Sequence, residues 1–358
     1  MSVEEVASHR PSRGLQIAIV GVGGAGNSLL SRAISEGVSP KNCVAVNTDR
    51  GQLSESNAQN KVLFAGSSSS SRVGSSEGRS RIQSLAQRVA PFTRESDFTI
   101  LLTGLGGVTG TSAAPLIAQL NRDEVRPVVS IVALPFIHER ERRFVALRGL
   151  KQMVEACDCT VVIDNAAEFR RVSDSERAAD ETAGFAVRGL SEVVAVGRPL
   201  VSHRILKILS LGQIATVCFA PVISNERVQS AVIDALRTPS ASLPVSKARG
   251  AVLLYRGVEP LSTGQASRAY EAVSSLIGHD VEFVHVSTMS AASSSLSIFL
   301  TGYSYDMVLG AFVEMIEDLY DMEYGTDSGP AELGLPVRLY QMEGPRSGSV
   351  RFCRAVRR

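Results

Sequence analysis

The run Leu15-Gln16-Ile17-Ala18-Ile19-Val20-Gly21-Val22-Gly23-Gly24-Ala25-Gly26-Asn27 passes from strand to helix within thirteen residues. Its apolar half, 15–20, predicts a buried strand. Leu29, Leu30 and Ala33 then recur at helical spacing and predict a helix over 27–34. The glycines between them fit G-x-G-x-x-G. Glycine adopts positive φ and lets a phosphate approach the backbone, while the helix start adds free N–H groups and partial positive charge. Alone, this turn fits a dinucleotide-binding fold. It equally fits a packing device in an arbitrary α/β protein.

A second loop changes the balance. Gly104-Leu105-Gly106-Gly107-Val108-Thr109-Gly110-Thr111-Ser112 follows a strand over 98–102 and precedes a helix starting at Ala113. One sheet then presents two glycine-rich anion cradles at the carboxyl ends of its strands, where open α/β sheets bind ligands. A dinucleotide reductase needs one such loop, whereas a nucleoside triphosphate spreads its charge over three phosphates and uses two. Thr109, Thr111 and Ser112 add hydroxyl donors and candidate magnesium ligands. G-x-x-x-x-G-K-[ST] does not occur, so this is not a P-loop enzyme.

Further strands are expected over 43–46, 62–64, 128–134 and 160–163, with helices over 77–89, 140–156 and 178–196. This alternation indicates an α/β fold with a parallel sheet covered on both faces. Beyond Gly197-Arg198-Pro199 the texture changes. Strands over 214–220, 250–255, 281–287 and 296–300, with helices over 226–236 and 264–277, form a smaller α+β unit. Val308, Phe312, Met315 and Leu319 give the stripe of a final helix.

The chain has 358 residues, 44% of them hydrophobic, which is enough for two domains with real cores. Its net charge of +1 excludes a polycation that coats nucleic acid, so no specific nucleic-acid partner is expected. Five cysteines are too few for a disulfide scaffold, which makes a reducing compartment the default. The polar start, 1–14, is unlike a signal peptide, and no apolar run approaches the ~20 residues of a transmembrane segment.

The order of motifs resembles the tubulin/FtsZ family, on the FtsZ side. Gly21 to Asn27 resembles the first nucleotide loop, and Val46-Asn47-Thr48-Asp49 the end of the second strand. Gly106-Gly107-Val108-Thr109-Gly110-Thr111-Ser112 resembles the glycine-threonine signature, with Val108 and Ser112 in place of glycines. Pro135-Phe136-Ile137-His138-Glu139, with Arg143, resembles the ribose loop. The resemblance runs from about 15 to about 320. It implies a Rossmann-like GTP-binding domain, a long central helix and a smaller C-terminal domain. The implied division is a tail over 1–14, the GTP-binding domain with the central helix over 15–197, the second domain over 198–324, and a basic tail over 325–358. The resemblance also implies GTP or GDP as ligand, with Mg2+ as a candidate companion. Phosphate contacts would come from Gly23, Gly24, Ala25, Gly26 and Asn27, and from Gly106, Gly107, Val108, Thr109, Gly110 and Thr111. Glu139 and Arg143 would hold the ribose side. Copies would stack head to tail, the next subunit's bottom loop supplying acids that polarise water.

Two places depart from the family. Its catalytic loop carries acids just after the central helix. The matching stretch here, Gly197 to Ile205, has none and places Ser202, His203 and Arg204 there. A carboxylate orients water by accepting its protons; Arg204 cannot, and His203 does so only when neutral. The expectation is weak or absent hydrolysis, unless an acid such as Asp164 or Glu192 acts instead. On the central helix, Glu176 and Asp180 stand where the family sets an aromatic ring and an amide against guanine. Asp180 can accept from guanine N1–H and N2–H, or be merely an exposed helix charge.

Other features weigh less. Ser67 to Ser71 fits either a donor loop near the terminal phosphate or a solvated loop. Cys157-Asp158-Cys159 is isolated and reads as structural, and the five histidines show no metal spacing, so no metal site is expected from them. The main expectation is a GTP-dependent cell-division polymer that is cytoplasmic and acts at the division site. The alternative is a non-assembling regulator of an active FtsZ paralogue. A nicotinamide oxidoreductase would need only the first loop. The family reaches membranes through adaptors. From 336 to 358 this chain carries six arginines against one glutamate, a local basic anchor that the net charge conceals.

Overall fold

Strand β1 (Ile17–Val22) is buried along its whole length. Its odd positions, Ile17 and Ile19, enter one core, while Val20 and Val22 enter the other. Period-two alternation in a sheet covered on both faces requires apolar residues at every position, and this run supplies them. The computed structural model describes residues 16–64, 76–123, 126–169, 175–195, 199–289 and 294–311. Its ten-stranded sheet has the order β3-β2-β1-β4-β5-β6-β7-β10-β8-β9. The strands are β2 (Cys43–Asn47), β3 (Asn60–Leu63), β4 (Phe98–Gly104), β5 (Val128–Leu134), β6 (Cys159–Asp164), β7 (Ile214–Val222), β8 (Gly250–Gly257), β9 (Glu282–Met289) and β10 (Ser294–Tyr303).

Strands β1 to β7 are parallel, and β10 is antiparallel to both β7 and β8. Helices α3 (Ser76–Arg94), α4 (Val108–Asp123), α5 (Arg140–Ala156), α9 (Val228–Leu236) and α10 (Thr263–Ile277) are set against one face. Helices α1 (Gly23–Ser35), α7 (Ser175–Ala195) and α8 (Pro199–Leu209) cover the other. Short helices α2 (Arg50–Glu55) and α6 (Asn165–Phe169) follow β2 and β6. The strand order reverses between β1 and β4, and both glycine loops leave the sheet at that switch point.

Two local readings change. The second glycine loop is shorter than expected, because α4 begins at Val108 rather than Ala113. Thr111 N–H donates to Gly107 C=O, closing a first helical turn that the low helix propensity of glycine and threonine conceals. The stretch matched to the family's catalytic loop is largely helical, since α8 starts at Pro199. Proline favours the first helical position, where no N–H is needed. The chain groups into one unit up to Leu309 and a second from Gly310, of which only residues 310 and 311 are described. The stripe beyond Val308, the N-terminal tail, the serine loop and the arginine-rich tail lie outside the described residues.

Candidate functional site: a double glycine cradle

The first loop is tight because its glycines have no room for side chains. Gly23 has φ 77°, and a Cβ there would stand 3.3 Å from the backbone N of Gly110. A Cβ on Gly26 would lie 2.5 Å from Leu102 O. The loops after β1 and β4 are therefore packed backbone to backbone. Thr103 Oγ1 donates to Val22 O at 3.3 Å, and Thr48 Oγ1 lies 3.2 Å from Thr109 Oγ1. These contacts bring Gly23, Gly24, Ala25, Gly26 and Asn27 beside Gly106, Gly107, Val108, Thr109, Gly110 and Thr111.

Helices α1 and α4 thus start side by side. Val22 offers no side-chain cap to α1, and neither helix has an acidic residue in its first turn. Two adjacent helix N-termini without acidic residues favour an anion. The Asn27 side chain is buried, with Nδ2 donating to Val46 O at 3.3 Å and Oδ1 unpaired among the described residues. A buried acceptor without a partner suits a donor group of a ligand. The residues present therefore fit a nucleotide, with phosphates on the backbone and a donor edge nearby.

Of the hydroxyls, Thr111 Oγ1 accepts from Gly106 N–H at 2.9 Å and Ser112 Oγ donates to Val108 O at 2.6 Å. Both are engaged in shaping the loop. Thr109 faces Thr48 across the junction of the loops and is the better placed cation ligand. A third wall comes from Asn47, met in the sequence only as part of a strand end, and from Gln52, which the sequence did not single out. Asn47 Nδ2 donates to Gln52 Oε1 at 2.9 Å, and that oxygen lies 3.1 Å from where a Gly24 Cβ would stand. Asp49 Oδ1 caps α2 by accepting from Gly51 and Gln52 N–H, which fixes Gln52 there. The signal was Asn47-Thr48-Asp49 at a strand end, an Asx pattern that starts helices.

The ribose-side candidates differ from one another. Glu139 is partly exposed; it accepts from Phe136 N–H at 3.0 Å and pairs with Arg142. Arg143 is 3% exposed. Its guanidinium donates to Asp164 at 2.8 and 3.0 Å and to Pro135 O. Asp164, the alternative acid, is therefore engaged in a buried ion pair. Glu192, the other alternative, accepts from Arg188 Nε at 2.7 Å and from Thr288 Oγ1 at 3.0 Å. Asp180 belongs to α7, but its side chain lies outside the described residues, as does that of Glu176. On α8, Ser202 is buried, while His203 and Arg204 are exposed. Cys43 and Cys157 are buried, which pushes their thiols up to about 12 and keeps them protonated. No described helix is long and apolar enough to cross a membrane.

Known proteins resemble this chain over most of its length. The GTPase domain of the tubulin/FtsZ family matches residues 16–172. Cell division protein FtsZ 1 of Methanocaldococcus jannaschii is 29% identical over 289 residues, 76% of this chain and 78% of that protein. Cell division protein FtsZ 1 of Pyrococcus horikoshii is 30% identical over 261 residues, 68% of each. An empty FtsZ dimer from M. jannaschii superposes with a TM-score of 0.68 at 27% identity, over 80% of this chain and 88% of that one. CetZ from Methanosaeta thermophila reaches 0.70 at 18% identity, over 86% of this chain and 92% of that one, a likeness of fold alone.

Proposed function

The chain belongs to the tubulin/FtsZ family of cytoskeletal GTPases, and we propose that it binds GTP, assembles head to tail and hydrolyses GTP weakly or not at all. The observation that carries the binding reading is the junction of the two glycine loops at the switch point. There the N-termini of α1 and α4 face one space with no acid in either first turn. The backbone of residues 23–27 and 106–111 would hold the phosphates, Thr109 and Thr48 a Mg2+ ion, and Glu139 the ribose side. Asn27 and Asp180 would stand on the nucleoside side. GTP supplies the phosphoanhydride bond whose hydrolysis drives subunit exchange in this family.

Weak hydrolysis follows from α8. Residues 197–205 contain no carboxylate. Asp164 and Glu192, the two alternatives raised from the sequence, are held by Arg143 and by Arg188 and Thr288. Loss of a water-positioning group costs about two to four decades in rate, roughly 3–5 kcal/mol of barrier. Polymers of this chain would then be long-lived. The named relatives are cell division proteins, which supports a role in cell division; a cytoplasmic place at the division site, reached through a membrane adaptor, belongs to the same proposal. The same exchange of charge on α8 favours a second reading, a regulator that caps or joins polymers of an FtsZ paralogue. Sedimentation of the purified chain with GTP separates the two: pelleting alone supports the polymer, and pelleting only with a paralogue supports the regulator.

The binding reading is tested with labelled GTP. Wild type binds it in preference to ATP and NAD, and Thr109→Glu, which puts a carboxylate at the cradle, weakens binding at least about tenfold. Equal binding by the variant removes the second loop from the site.

A further inference from the structure

The two edges of the sheet differ. Strand β3 is one edge; it has four residues and, among the described residues, pairs with β2 alone. Lys61 is exposed on it, and Arg88 of α3 donates to Leu63 O at 2.8 Å. Short length and edge lysines are devices that stop a sheet from recruiting further strands. Strand β9 is the other edge and lacks both. It runs for eight residues, Glu282 to Met289, without lysine, arginine, proline or glycine. Glu282 at its start is its one acidic residue, and Lys207 of α8 stands 3.9 Å from it.

Backbone geometry sets which groups of β9 are offered to a neighbour. Glu282 N–H donates to Arg249 O at 3.0 Å. Backbone direction alternates along a strand, so 282, 284, 286 and 288 face β8, while Phe283, His285 and Ser287 turn N–H and C=O outward. Among the described residues nothing hydrogen-bonds to these outward groups. The side chains along the edge are only partly covered. Phe283 meets Tyr270 edge-on with ring centroids 5.4 Å apart, and His285 stacks beside Phe283. Met289 is 74% exposed.

We propose that β9 pairs antiparallel with β9 of a second copy of this chain, so that the sheet continues across a two-fold axis. An axis normal to the sheet sets two identical edge strands antiparallel, which is the more stable ladder. Outward groups must then meet outward groups. Centring the axis on His285 satisfies this. Phe283 of each copy lies opposite Ser287 of the other, and Val284 opposite Val286. The same register sets exposed Met289 against Val281 and Glu282 against Thr288, so an apolar side chain gains an apolar neighbour and no like charges face each other. The imidazoles at the axis are uncharged at pH 8. A foreign strand would not require β9 to match itself in this way. An eight-residue edge buries less than a standard interface, so the pair is weak, with Kd on the order of micromolar. Strands β7, β8 and β9 run the same way as β6, and the axis reverses them in the second copy. The two glycine cradles therefore point in opposite directions, and both strand ends stay open. The pair needs no nucleotide and stands whether or not the chain assembles head to tail.

Sedimentation velocity at pH 8 without nucleotide tests the pair. Wild type should pass from monomer to dimer between about 1 and 100 µM. Ser287→Pro removes an outward N–H and no bond to β8, a change that edge strands tolerate. It should need at least about tenfold more protein to dimerise, with the circular dichroism of wild type. Ser287→Lys, which supplies the lysine that β9 lacks, should act alike and covers the case in which the proline variant fails to fold. Ser287→Ala loses only the hydroxyl that accepts from Leu261 N–H at 3.3 Å, and should dimerise like wild type. Register is read by disulfide formation under oxidised glutathione in a Cys353→Ser background. Residues opposite each other without mutual hydrogen bonds have Cα atoms about 4.5 Å apart, within reach of a disulfide. Val284→Cys mixed with Val286→Cys should therefore cross-link in excess of either alone. Wild type that stays monomeric at about 100 µM, or dimers equally strong in Ser287→Pro and Ser287→Lys, would overturn the proposal. Monomeric wild type whose Phe283, His285 and Ser287 amides resist hydrogen exchange overturns it too, and gives the edge to another segment of the same chain. A dimer that both Ser287 variants abolish, but that cross-links no better in the mixture, overturns the two-fold register.

Discussion

Arg143 and Asp164 form a buried unit whose side chains are only 4% and 8% exposed. Asp164 also accepts from Ala166 N–H at 2.9 Å, so the carboxylate orders the start of α6 while it neutralises the arginine. Removing one charge strands the other in a dry site. Asp164→Asn is therefore expected to cost about 3–5 kcal/mol, read as a lower urea midpoint; a change below about 1 kcal/mol would contradict the geometry. Arg143 stands out in the sequence through a family motif, but its partner lies 21 residues on and is invisible until β5 and β6 pair in register. His285 on β9 makes a second prediction. Burial holds its imidazole below the ordinary 6.5. The unfolded chain takes up that proton more readily than the folded one. His285 thus contributes stability above about pH 6.5 that is lost as pH falls through the folded value. The thermal midpoint should drop between pH 7 and 5, and the drop should be shallower in His285→Phe. Equal slopes would clear His285 of any part in it.

At the scale of elements, α7 is seated by charge as well as by apolar packing. Glu192 accepts from Arg188 on its own helix and from Thr288 on β9, and lies 3.4 Å from Arg256 on β8. At the other end of the helix, Arg32 of α1 reaches Glu181 at 3.3 Å. Glu192→Gln keeps the shape but weakens the bonds to two partly buried arginines, and should cost about 1–3 kcal/mol in urea unfolding. No loss would mean that α7 sits on its apolar face alone. The elements most legible in the sequence were those with continuous apolar runs: β1, β2, β4, β5 and β6 lie within two residues of expectation. The starts of α4 and α8 were not. Thr109, Gly110 and Thr111 have weak helix propensity, and only backbone closure onto Gly107 and the packing of Gly110 against the first loop makes them helical. Pro199 carried a signal for α8, a proline at the first helical position, which the expectation of a catalytic loop overrode. The cradle itself was largely legible, because close backbone approach demands glycine and so writes itself into the sequence. Gln52 was not, since its place depends on how Asp49 turns α2.

For the whole molecule, one sheet direction organises the account. Strands β1 and β4 deliver two glycine loops to one end at the switch point, and the amino ends of β7, β8 and β9 gather α8 and its cations at the other. The proposed nucleotide at the first end, with no carboxylate in residues 197–205 at the second, is the basis for reading the chain as a GTP-binding protein that assembles without efficient turnover. Steady-state phosphate release, measured at a concentration where GTP drives sedimentation, tests this most directly. The account predicts sedimenting assemblies with turnover about two to four decades below that of an FtsZ with its acidic loop. Assembly accompanied by turnover at the rate of that FtsZ would contradict it.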